Sequence, residues 1–213
     1  MDAITLLRND HKTVERLFKQ FEKAEKAGDD DTKGSVVDSI IEELSVHAAI
    51  EEQEFYPAVR AALPTVEDEV LEGLEEHHIV KWTLSELAGM DPGDERFDPK
   101  VTVLIESVRH HVEEEEGELF PQVRQALGRK RLGEIGDAME ELKKSAPTRP
   151  HPRAPDTPPG NVAANKAAGV LDRARTGAKR GAAKAKSKAK DKTETAKERA
   201  ATGKARAKAK AKA

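Results

Sequence analysis

Apolar residues along the first two thirds of the chain recur in steps of three and four. Ile4, Leu7, His11, Val14, Phe18 and Phe21 form one such stripe. This is the spacing of a helix that buries a single face. Asp2 is placed to cap its start and Gly28 to end it. A second stripe, Val37, Ile40, Leu44, His47, Glu51 and Phe55, predicts a helix beginning near Thr32–Ser35. Thr65 stands three residues before Asp68, a near capping box for a third helix. Its seam runs through Val70, Leu74, His77, Val80 or Lys81, Leu84 and Leu87. "GMDPGDERFDP" reads as a loop, and Asp98-Pro99 as a cap followed by a first turn. A fourth seam joins Leu104, Val108, His111, Glu115 and Leu119. A short helix from Leu132 to Lys144 is expected to pack against the outside. No alternation of β-branched residues marks a strand. The pattern predicts an all-α fold, an up-down-up-down four-helix bundle with one extra short helix. Pro57 and Pro121 fall late in helices two and four, where each should bend or end its helix.

The stripes also repeat. "HAAIEEQEFYP" at 47–57 returns as "HVEEEEGELFP" at 111–121, a shift of 64 residues. A shift of 66 lays Asp10-His11 on Glu76-His77 and Val14 on Val80. The bundle therefore reads as a duplicated helical hairpin with approximate two-fold symmetry. The repeat pairs His111 with Glu115, as it pairs His47 with Glu51, and leaves His110 as a neighbour.

Composition divides the chain. Residues 1–144 hold 18 basic and 35 acidic side chains, a net charge of −17; residues 161–213 hold 17 and 4, a net of +13. This predicts an acidic helical body (1–144), a proline-rich linker (145–160) and a basic Ala/Lys-rich tail (161–213) expected to be disordered in isolation. Evenly spaced cations without aromatics suit sequence-independent contact with phosphates of DNA or RNA. The residues that would carry it are Lys179, Arg180, Lys184, Lys186, Lys188, Lys190, Lys204, Arg206, Lys208, Lys210 and Lys212. The tail resembles in composition those of linker histones and bacterial nucleoid-associated proteins. Cysteine is absent, which excludes disulfide scaffolds, thiol nucleophiles and zinc–thiolate sites. The early charges of "MDAITLLRND" argue against a signal peptide, and no window is apolar enough to span a membrane. A cytoplasmic, nucleoid-associated location is expected.

Histidines on four seams are the chemical signal. His11, His47, His77 and His111 face the bundle axis, with Glu51 and Glu115 one turn after two of them. Two carboxylates buried without partners would be costly, and a pair of metal ions resolves that cost. The seam through Leu74 and Leu84 favours His77 over His78. Glu52, Glu54, Glu116 and Glu118 either orient imidazoles or form a solvated acidic face. Tyr56, Phe120 and Trp82 read as packing residues.

Residues 1–127 resemble the hemerythrin-like, HHE cation-binding family, through "NDH" at 9–11, "HAAIEE" at 47–52, "EEHH" at 75–78 and "HVEEEE" at 111–116. The resemblance implies an oxo- or hydroxo-bridged centre of two iron ions, with His11, His47, Glu51, His77, His111 and Glu115 as ligands and both glutamates as bridges. Manganese or zinc fits the same donors. The family's oxygen carriers place a further histidine where this chain has Lys81, and an aspartate five residues after the last histidine ligand where this chain has Glu115 after four. The expected function is therefore binding or sensing of O2, peroxide, nitric oxide or iron rather than oxygen carriage. The alternatives are a di-iron oxidase or peroxidase-like enzyme, and a metal-free architectural protein of the nucleoid.

Overall fold

The computed structural model describes residues 1–175, and those from Met1 to Asp172 form one compact unit. The basic residues from Lys179 to Lys212 singled out above lie outside the described residues. Among the described residues there is no strand, and no helix is long and apolar enough to cross a membrane.

Helix α1 spans Ala3–Ala27. The Asp2 carboxylate accepts from the Thr5 N–H at 3.0 Å, and Gly28 closes the helix with φ at 65°. α2 runs Asp30–Ile50 behind an Asp29 cap, so it starts a little earlier than its apolar stripe suggests. α3 is the short Tyr56–Ala62. α4 is Glu67–Leu87, entered through a 3₁₀ turn at Pro64–Val66 with no side-chain cap in place of the expected box. α5 is Phe97–Glu114. Asp98 does not cap it; its carboxylate instead takes the buried Lys33 ammonium at 2.8 and 2.9 Å. α6 is Phe120–Lys143, bent at Gly128, where φ is 66°. The predicted short helix is the second limb of α6. It buries Leu132, Ile135 and Met139 beside α1. There Gly136 lies so close to the Met1 carbonyl that a Cβ would collide with it.

The two prolines, expected to bend or end their helices, do not end them. A π-helical turn precedes each, Glu51–Phe55 before Pro57 and Glu115–Leu119 before Pro121. Within them the N–H of Tyr56 reaches the Glu51 carbonyl, and that of Phe120 the Glu115 carbonyl. The wider turn shifts the register ahead of a residue that can neither donate a hydrogen bond nor fit its ring against the preceding turn.

Apolar side chains form two clusters rather than one. One gathers Leu7, Ile50, Phe55, Val59, Leu74, Phe120 and the second limb of α6. The other gathers Val14, Phe18, Ile40, Leu44, Val80, Leu84, Leu104 and Val108. Full burial of each large side chain is worth about 1.5–3 kcal/mol. On every seam a histidine falls between the residues of the two clusters, so a polar layer divides the core.

Residues 147–159 have no regular structure, as their prolines require, yet they are not a free linker. They pack on α2 and α4 as a strap, and a helix begins at residue 160 where disorder was expected. Its buried face is Asn161, Asn165, Ala168 and Asp172. The Asn161 amide donates to the carbonyls of Glu52 and Asp156, each at 3.1 Å. The Asp172 carboxylate accepts from the N–H groups of Thr148 and Arg149, and His151 Nε2 lies 3.1 Å from it. Directed hydrogen bonds hold this segment, which is why a search for apolar faces misses it.

Candidate metal centre

The polar layer contains all six residues predicted as ligands, each at most 6% exposed. α1 supplies His11, α2 supplies His47, α4 supplies His77 and α5 supplies His111. The two π turns supply Glu51 and Glu115 as their first residues. Donor atoms of His11, His47, Glu51 and Glu115 lie within 4.8 Å of one another, as do those of Glu51, His77 and His111. Glu51 belongs to both groups. Its Oε2 is 3.1 Å from His47 Nε2 and 3.4 Å from His77 Nε2. Glu115 Oε2 is 3.4 Å from His11 Nε2 and 3.8 Å from His111 Nε2. The Nε2 atoms of His77 and His111 are 3.2 Å apart.

Each imidazole turns its other nitrogen outward to a second carboxylate. His11 Nδ1 is 2.8 Å from Glu116, His77 Nδ1 3.2 Å from Glu52 and His111 Nδ1 2.6 Å from Glu76. His47 Nδ1 faces Asp10 at a longer 3.6 Å. A proton held on Nδ1 by such a partner leaves the Nε2 lone pair facing inward, the tautomer that binds a metal. Asp10 and Glu76 were not singled out from the sequence. The signal was there: each immediately precedes a seam histidine, at equivalent places in the repeat.

Electrostatics set the layer's state. Burial pushes His47 down to about 4, against the pull of Asp10, and lowers His77 as well, so both are neutral near neutral pH. In His111 the carboxylates of Glu115 and Glu76 outweigh burial and raise it. Burial and the facing Glu115 push Glu51 well above the usual carboxylate range. In Glu115 the same burial is outweighed by His111, His11 and His47, which hold it down. Both oxygens of Glu51, Oε2 of Glu115 and Nε2 of His11 are buried with no hydrogen-bond partner. Such unpaired atoms are rare in a folded core and costly. Cations between them would satisfy all four, so the donor set fits a pair of metal ions.

The other candidates fall elsewhere. His78 is half-buried, and Trp82 donates its indole N–H to the His78 ring at 3.1 Å. His110 is exposed. Lys81 is buried but does not reach the layer's centre. Its ammonium pairs with Glu52 at 2.9 Å and with Asp156 of the strap. These two carboxylates raise its pKa despite burial. Tyr56, expected as packing alone, also donates to Glu115 Oε1 at 2.9 Å.

Residues 2–123 match the family described as the hemerythrin HHE cation binding domain. The chain belongs to this family. An uncharacterised hemerythrin-like protein of Schizosaccharomyces pombe is 29% identical over 161 residues, which cover 75% of this chain and 79% of that protein. A DNA nickase of a Nostoc strain is 28% identical over 127 residues, 60% of this chain but only 35% of the nickase. A crystal structure of a hemerythrin HHE cation binding domain-containing protein from Mycobacterium kansasii superposes with a TM-score of 0.57 at 22% identity, over 68% of this chain and 89% of that one. It shares the fold of this chain. Membership in a cation-binding family agrees with a His/Glu cluster able to hold metal.

Proposed function

We propose that the bundle holds two iron ions and binds or senses a small redox ligand such as O2, peroxide or nitric oxide. His11, His47, Glu51 and Glu115 would hold one ion, and His77 and His111 together with Glu51 would hold the other. The observation that carries this reading is the set of unpartnered buried donors on Glu51, Glu115 and His11. When bound, such a pair supplies redox change and open coordination positions for the ligand. The chain's own part is to hold the donors rigid and dry. Outer carboxylates fix the imidazoles of His11, His77 and His111, Tyr56 holds one oxygen of Glu115, and the two apolar clusters exclude water above and below the layer.

Iron content and the absorption spectrum test this reading. Near two irons per chain are expected, with oxo-bridge bands that disappear in His47→Ala and in His111→Ala. A metal-free bundle of unchanged stability in all three would overturn it. Reversible ligand binding without turnover is expected, and sustained consumption of peroxide would make the protein an enzyme instead.

The basic residues beyond 175 would tether the bundle to nucleic acid by phosphate contacts, a reading that rests on their charge and spacing. Gel shifts should show DNA binding by the full chain and its loss in a chain ending at Asp172. That end point keeps the strap and the compact unit whole. Binding that survives the truncation refutes the tether.

A further inference from the structure

Three of the four outer carboxylates have a basic partner. Asp10 pairs with Lys143 at 2.5 Å, Glu52 with Lys81 at 2.9 Å and Glu116 with Arg8 at 3.3 Å. Glu76, among the described residues, pairs only with the His111 ring. It lies instead in a cleft of about 80 Å³ between α4 and the α5 end of the bundle. Glu69, Glu72, Glu114 and Glu118 surround the mouth of this cleft, and among the described residues its lining contains no lysine or arginine. At the mouth Glu76, His110 and Glu114 bring donor atoms within 4.8 Å of one another.

Acidic side chains alone would be an ordinary solvated surface. This cleft, however, ends on the metal layer. Its floor is Tyr56, His111 and Glu115, and Glu115 is 4% exposed with Oε2 unpartnered. Gly73 keeps the way open. It sits inside α4, where glycine costs about 1 kcal/mol relative to alanine. A Cβ there would stand 3.1 Å from the Tyr56 hydroxyl and 3.5 Å from His111 Cε1.

The other half of the repeat shows what the same place looks like when closed. Shifted by 66, Glu69, Glu72 and Gly73 become Ala3, Leu6 and Leu7; shifted by 64, Glu114 becomes Ile50. All four of those residues are at most 4% exposed, inside the apolar cluster that α6 covers.

We infer that the acidic cleft between α4 and α5 is the entry route for divalent metal ions, leading past Gly73 to His111 and Glu115. This rests on the two-metal reading above. A cleft lined by one sign of charge concentrates the opposite ion and raises its association rate by about 10–10³-fold, an effect that salt removes. Neutral ligands gain nothing from it. Glu76 serves twice, as a partner of His111 and as the innermost carboxylate of the route.

The test is uptake of Co(II) by the metal-free full chain, followed by stopped-flow absorption at several ionic strengths. Wild-type uptake should slow as salt rises. A Glu72→Gln/Glu114→Gln/Glu118→Gln variant should load about tenfold more slowly at low salt and lose most of the salt dependence. It should still reach the wild-type stoichiometry and spectrum, because none of the three residues is a proposed ligand. Gly73→Val should slow loading while keeping the salt dependence. Glu113→Gln, on the groove between α1 and α5, should change nothing. A triple variant that loads at the wild-type rate overturns the route, and so does slowing by Glu113→Gln instead. Wild-type protein that takes up no metal overturns the two-metal reading itself, and this inference with it.

Discussion

The two halves of the bundle carry the same chemistry in different surroundings. His11 and His77, His47 and His111, Glu51 and Glu115, and the outer pairs Asp10 and Glu76, Glu52 and Glu116 correspond one for one under the repeat. Their covers do not correspond. The groove between α2 and α4, which includes Ala48, Glu52 and Lys81, is filled by the strap. Its counterpart between α1 and α5 includes Glu15, Val112 and Glu116 and, among the described residues, is an open groove of about 660 Å³ over Val14, Phe18 and Val108. The helix ends differ too, since α6 seals the α1–α2 side while the α4–α5 side opens to the acidic cleft. A duplicated core can thus keep its donors paired while its access routes diverge, because donors need all their partners at once and a cover can be exchanged alone.

The largest expected difference lies between Lys81 and its counterpart Glu15. Lys81→Met leaves Glu52 and Asp156 facing each other without their cation, in a site where the lysine side chain is 10% exposed. Breaking such a pair costs about 3–5 kcal/mol. Chemical denaturation should show that loss, and limited proteolysis should newly cut within 147–159. Glu15→Gln touches only surface pairings, with Arg109 and Lys19, and should cost about 1 kcal/mol or less. Equal costs would mean that the strap is not anchored through Lys81.

Next comes Tyr56, whose counterpart is Phe120. Tyr56→Phe makes the two halves alike at this point and leaves Glu115 Oε1 without its donor. A lost hydrogen bond to a buried charged group costs about 1.5–3 kcal/mol. Unfolding of the metal-free protein should register this, and the spectrum of the iron-loaded protein should shift.

The smallest effect separates the starts of α1 and α4. Asp2→Ala should cost about 1 kcal/mol, the usual value of an N-cap, whereas the counterpart Asp68 caps nothing and Asp68→Ala should be near neutral. Partial burial works to raise the Asp2 carboxyl, but Thr5 and Arg124 together hold it below its ordinary 3.8. Its contribution is therefore full above pH 3.8 and fades as pH falls through the lower folded-state value. In thermal melts from pH 7 to 2.5 the gap between Asp2→Ala and wild type should narrow as pH falls, while Asp68→Ala should track wild type throughout.

The bundle and the shared buried layer of six His and Glu side chains were legible because a helix face writes itself at steps of three and four, and duplication wrote it twice. The outer partners were less legible. Asp10 and Glu76 support histidines on neighbouring helices, so the one trace of them within a helix is their repeated place just before a seam histidine. The strap was hidden for another reason. Asn161, Asn165 and Asp172 bury polar faces through hydrogen bonds, and hydropathy registers them as surface. Pro57 and Pro121 warned of an irregularity, but its form depends on how much the neighbouring helices let the backbone widen.

The two π turns also carry a history. A π turn adds a residue to a helix, and loss of one residue can return it to α register. Here the turns begin 64 residues apart, at Glu51 and Glu115, the same shift that relates the two helices around them. One insertion in an ancestral hairpin, copied when that hairpin doubled, accounts for both with a single event.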